Sequence, residues 1–162
     1  MYQKGARLLA SFFRKRFFLL GLLTILFGIR FFLFADVEKI EPAFSPTGIR
    51  ISGQLYRLEI AETDAERAQG LGDRDTLCDN CGMLFIFADP GKYAFWMKDM
   101  RFPIDIIWLL GDRVVFVEHA VSPDFAGIVH PTAPADRVLE LNANQGSGVR
   151  AGETVQFVYE SF

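Results

Sequence analysis

From Gly48 onward, apolar and polar residues alternate with a period of two over most of the chain, and one interval breaks that rhythm. Ile49-Arg50-Ile51 and then Tyr56, Leu58 and Ile60 alternate with polar neighbours, which predicts two half-buried strands around a Ser52-Gly53 turn. The break comes next. Thr63 followed three places later by Glu66 forms a capping box, and Gly70 supplies a left-handed stop after Gln69, so a helix of about two turns is predicted. Period two then returns, with candidate strands at Met83–Phe87, Ala94–Met97, Ile104–Leu110, Val114–Ala120, Val138–Leu141 and Thr154–Tyr159. Gly111-Asp112 suits a tight hairpin, as a glycine-first two-residue loop allows. Many short strands with one helix predict a mainly β fold: a compact antiparallel β-sandwich or barrel-like domain over residues 48–162. No internal repeat or low-complexity run is present.

A different pattern precedes this domain. Phe17 to Ala35 is nineteen residues long and broken only by Arg30, long enough for a helix to cross a bilayer core. Residues 1–16 are basic, and Asp36 and Glu38 follow the span. The positive-inside rule therefore predicts a single-pass cell-membrane protein with a cytoplasmic N-terminus and its C-terminal domain outside the cytoplasm. Arg30 can snorkel towards the outer headgroups. A cleaved signal peptide, giving a secreted or periplasmic product, is the alternative, although Leu33 and Ala35 make a poor small-x-small cleavage site. Residues 36–47 hold two prolines and no sustained periodicity, which suits a linker.

Charge divides sharply at this boundary. Residues 1–35 contain six bases and no acid, so residues 36–162 carry (17 − 6) − 20 = −9. That acidity opposes binding to a phosphate backbone, and no nucleic-acid partner is expected. The length and 51% hydrophobic composition suit one core with an appendage.

The stretch from Gly82 to Leu110 concentrates the candidate chemistry. Asp105 lies in Pro103-Ile104-Asp105-Ile106-Ile107-Trp108, where neither face is plainly polar, so a partner is required, and Arg67, Arg74 and Lys98 are the available cations. Such a pair either grips a ligand or fixes the sheet as a structural ion pair. Trp96-Met97-Lys98-Asp99-Met100 through Pro103-Ile104-Asp105, with Arg67, Gly70-Leu71 and Val138-Leu139-Glu140-Leu141, resembles the family of domain of unknown function 192, a bacterial and archaeal group. The resemblance covers about residues 49–159 and implies the same kind of mainly β domain. It also matches Glu140 to a glutamate of the family pattern, read here as a structural partner for an arginine. The pattern runs close to Trp-Met-Lys-Asn-Thr and then Pro-Leu-Asp, so Asp99 stands for Asn and Met100 for Thr, while Gly72 stands for Met. An acid and a thioether in place of neutral hydrogen-bonding groups put an identical ligand in doubt.

Cys78 and Cys81 are the only cysteines and form C-x-x-C. A thioredoxin-type thiol needs a helix N-terminus, whereas a strand is predicted to follow here, so a loop-closing disulfide is expected in an oxidising compartment. A zinc site recruiting His119 and His130, or Cu(I) held by Met83, Met97 and Met100, lacks supporting spacing, and no metal or cofactor is expected. No G-x-S-x-G elbow, phosphate-binding glycine loop or H-E-x-x-H helix occurs, so no catalytic residue is assigned. The reading is a membrane-anchored extracytoplasmic β domain that binds a small molecule or a protein partner, with Arg67, Arg74, Trp96, Lys98, Asp99, Asp105 and Glu140 as candidate site residues. The alternative is an extracytoplasmic enzyme using a carboxylate and cation site, Asp105 with Lys98, or the thiol pair Cys78 and Cys81.

Overall fold

The computed structural model describes residues 45–159. In chain order the elements are β1 (Gly48–Ile51), β2 (Gln54–Ala61), α1 (Asp64–Gln69), β3 (Cys81–Gly91), β4 (Phe95–Trp96), β5 (Ile104–Leu110), β6 (Arg113–Val121), β7 (Ile128–Val129), β8 (Ala135–Asn142) and β9 (Gln156–Val158). Seven strands form one sheet in the order β6-β5-β8-β3-β2-β1-β9, and β4 with β7 makes a separate ribbon. The predicted transmembrane or signal segment, with the basic N-terminus and most of the linker, lies outside the described residues. Among the described residues no helix is long and apolar enough to cross a membrane.

The short helix forms where the capping box predicts it. Thr63 Oγ1 accepts from the Glu66 amide at 3.2 Å, and Glu66 Oε2 accepts from the Thr63 amide at 2.9 Å. These bonds satisfy donors that a helix start leaves unpaired. Gly70 ends the helix at φ +50°, donating its amide to Glu66 O at 2.8 Å.

The expected fully antiparallel arrangement is corrected at one pair. β2 and β3 run parallel, with Ile60 opposite Leu84. Parallel neighbours need a crossover, and the segment carrying α1 is that crossover. The sandwich alternative is corrected as well. β6 and β9 are opposite edges, yet Arg113 bridges Thr154, and the Val114 amide donates to Glu153 O at 2.9 Å. One sheet therefore curls into a half-barrel.

Curling buries both faces of the central strands. Met83, Phe85, Ile106, Trp108 and Val138 pack on one face with Leu71, Leu77 and Met97. Leu84, Ile107, Leu109, Leu139 and Leu141 pack on the other with Ile49, Ile51, Tyr56, Val149 and Val155. Burial on both faces explains why β5 reads as an almost continuous apolar run. β7 has two residues and no periodic signal of its own, so the sequence pattern did not predict it.

Candidate functional site

Glu140 sits in β8 between Leu139 and Leu141 and shares a sheet face with its register partners Met83 and Ile106. Strand alternation therefore turns its side chain towards the α1 side of the sheet. Glu140 is only 4% exposed, and its Oε2 is buried without a hydrogen-bond partner. Burial pushes its carboxyl up to about 8, against a weaker opposing attraction from Arg74. Arg74 does not reach it as a partner, because both its Nη atoms donate to Glu59 at 2.9 Å. The arginine partnership expected for Glu140 is thus replaced by a bidentate pair with Glu59.

Above this carboxyl lies a cavity of about 430 Å³, walled by α1, the turn after it, β3, β4 and the segment following β4. Its volume is in the range of small-molecule sites. The side formed by β3 and β4 is aromatic. Phe85 meets Phe95 edge to face at 5.0 Å, and Phe87 stacks on Tyr93 at 3.6 Å. Phe95 in turn leans edge-on against the buried Trp108, whose indole donates to Tyr93 O at 2.8 Å and so ties the wall to β5. Gly70 keeps the space beside the acid open, since a Cβ there would come within 3.3 Å of the Phe85 ring and 4.0 Å of Glu140 Oε2.

Arg67, Trp96, Lys98, Asp99 and Glu140, among the candidates read from the sequence, all line this cavity. Arg67 is held on several sides: it donates to Glu62 O, to Ile86 O at 2.8 Å and to Asp64 Oδ1 at 2.5 Å, with its guanidinium 5.2 Å from the Phe87 ring centre. Lys98 pairs with Asp99 at 2.9 Å across the exposed rim. Trp96 is 57% exposed and stands opposite Ile128 in the β4–β7 ribbon. Gly72, Asp99 and Met100, the three departures from the family pattern, line the cavity too.

Asp105 does not belong to this site, and its expected pairing with Arg67, Arg74 or Lys98 is corrected. It stands opposite Leu141, so its side chain points to the sheet face away from Glu140. Its partners are backbone amides: Ala120 donates to Oδ1 and Gly146 to Oδ2, each at 2.8 Å. His119 Nδ1 lies 3.7 Å from Oδ1. Ala120 has φ +50° where the β5–β6 register shifts, so the buried carboxylate fastens a bulge on one side and the loop after β8 on the other. Tyr56 closes the same region, donating to Gln145 O at 2.8 Å, and burial together with the nearby Asp105 raises its pKa.

Cys78 and Cys81 have their sulfurs at disulfide distance, 1.94 Å, in the turn that leads into β3. Arg57 Nη2 lies 3.6 and 3.5 Å from the two sulfurs. Among the described residues no group of three or more His, Cys, Asp or Glu is arranged to hold a metal ion.

A curled, mainly β half-barrel with one partnerless acid beneath an aromatic-walled cavity is the class of domain defined by this fold and site. Residues 47–157 match DUF192, described as uncharacterized ACR, and the chain belongs to that family. It is similar to a protein of unknown function from Novosphingobium aromaticivorans DSM 12444, with 31% identity and a TM-score of 0.63 over 68% of this chain and 83% of that one. It is also similar to a protein from Sinorhizobium meliloti 1021 described as a candidate transcription regulator. That match has 26% identity and a TM-score of 0.63 over 68% of this chain and 90% of the other. No curated protein matches the chain.

Proposed function

We propose that this domain binds a small molecule in the cavity between α1 and β3–β4, with Glu140 as its polar anchor. The observation that carries the reading is the buried Oε2 without a partner beneath that cavity. Buried polar atoms are nearly always hydrogen-bonded, and an orphan beneath an aromatic-walled space suits a ligand atom. Membrane tethering outside the cytoplasm is part of the same proposal, supported by the apolar run Phe17–Ala35 and by the cysteine pair at disulfide distance. Transcriptional regulation through nucleic acid is not carried over from the Sinorhizobium protein, because the charge of −9 on residues 36–162 opposes phosphate binding.

The enzyme alternative built on Asp105 with Lys98 loses its geometry, since Lys98 lines the cavity and Asp105 occupies the other sheet face. A thermal-shift screen of the full-length chain tests the binding reading. A bound compound at about 100 times its Kd stabilises the native state by about 2.7 kcal/mol, enough to raise Tm by several degrees. Hits should lose that effect in Glu140→Gln and weaken in Trp96→Ala. Hits that stabilise the wild type and Glu140→Gln equally would refute the anchor.

A further inference from the structure

We infer that the ligand head is an ammonium or guanidinium group that donates to Glu140, carried on a flat, ring-sized body; this rests on the binding reading above. Three features of the cavity lead there. Once ionised, the Glu140 carboxylate only accepts hydrogen bonds, so a ligand that binds this form must bring a donor to Oε2. The rings of Phe85, Phe87, Tyr93 and Phe95 line the cavity and give it an apolar area that suits a ring-sized body.

Charge supplies the third feature. The charged residues lining the cavity are Asp64, Arg67, Lys98, Asp99 and Glu140, so the ionised site carries 2 − 3 = −1. Arg67 is paired with Asp64 and Lys98 with Asp99, and outside the lining Arg74 is paired with Glu59. Glu140 is the acid left over. One positive charge brought by a ligand would compensate it at short range, where a desolvated pair interacts strongly.

This head group also fixes the direction of the pH response. Without ligand, burial keeps Glu140 protonated up to about pH 8. A cation binds the ionised form, so its affinity should rise as pH climbs towards that value, with a proton released on binding. A neutral ligand accepting from the protonated carboxyl would do the reverse: its affinity would be level up to about pH 8 and fall above it.

The experiment is titration calorimetry on the full-length chain with phenethylamine, with 2-phenylethanol as its uncharged counterpart, at pH 6.5 and pH 8. The ionised fraction of Glu140 grows between those values, so phenethylamine should bind at least severalfold more tightly at pH 8 than at pH 6.5. It should also bind better than 2-phenylethanol there. In Glu140→Gln the amine should bind more weakly and without pH dependence. Phenethylamine affinity that is absent, flat or falling over this range would overturn the assignment, as would tighter binding of 2-phenylethanol. Tighter binding of Nα-acetyl-lysine amide would overturn it as well, because the head would then belong to a lysine side chain. If a neutral screening hit binds through Glu140 while phenethylamine fails, the head-group class falls and the binding site stands. If Glu140→Gln leaves every bound compound unaffected, the site itself falls.

Discussion

Replacing Glu140 by glutamine isolates the energetic cost of the buried acid. The folded chain holds its proton up to about pH 8, whereas an unhindered glutamate releases it near 4.5. Across that window the native state binds more protons than the unfolded chain, so stability falls as pH rises, and the loss is complete above the folded value. At 1.36 kcal/mol per pH unit, the part of the loss falling between pH 5 and pH 8 is about 3 to 4 kcal/mol. That is a large share of the stability of a domain this size. Glutamine keeps the shape and cannot ionise, so Glu140→Gln should lack this component while the other carboxylates titrate alike in both proteins. Urea unfolding of wild type and Glu140→Gln at pH 5, 6, 7 and 8 reads the difference, and the variant should gain on the wild type steadily across the series. Curves that stay parallel within about 1 kcal/mol would show instead that Glu140 is solvated or paired in the folded chain.

Asp105→Ala should destabilise the domain by about 3 kcal/mol, since the amides of Ala120 and Gly146 lose their acceptor, and leave ligand binding unchanged because the residue faces the other side of the sheet. Asp105→Asn should cost about half as much by keeping one acceptor oxygen, which the same unfolding assay measures. Gly70→Ala combines a positive φ with a close approach to Phe85, and should lower stability by more than about 1 kcal/mol and weaken binding in the cavity below it. Alkylation without reductant, under denaturing conditions, should leave Cys78 and Cys81 of the wild type unlabelled and add one label, at Cys81, in Cys78→Ser, with ligand binding intact; insulin-reducing activity that depends on Cys78 would contradict the structural role.

The features legible in the sequence were those written locally. Thr63 with Glu66, the stop at Gly70 and the turn at Gly111 each depend on neighbours within a few residues, and each appears in its predicted place. The parallel pairing of β2 with β3 is non-local, because alternation along a strand specifies its faces and not its neighbour. Asp105 reads as an acid needing partners, but backbone amides carry no residue-type signal, so cations are the only partners the sequence offers. Glu140 reads as the polar member of Val-Leu-Glu-Leu, as it would on a half-exposed strand. Its burial follows from the curl of the sheet and from the close approach of Gly70 at the end of α1, neither of which β8 itself encodes. The cavity residues were legible in part: Trp96, Lys98 and Asp99 stood out by type, whereas Phe85, Phe87 and Tyr93 matter through where β3 and the following turn carry them.

The carboxyl carbon of Glu140 reports directly whether this residue is the polar anchor of a ligand cavity. A carbon-13 NMR titration of that carboxyl in the full-length chain, with and without a compound found to bind, gives the midpoint in both states. The midpoint should lie near pH 8 in the free chain and move well down when a cationic ligand saturates the site. A midpoint near the ordinary 4.5, or one that stays in place when ligand binds, would contradict that role.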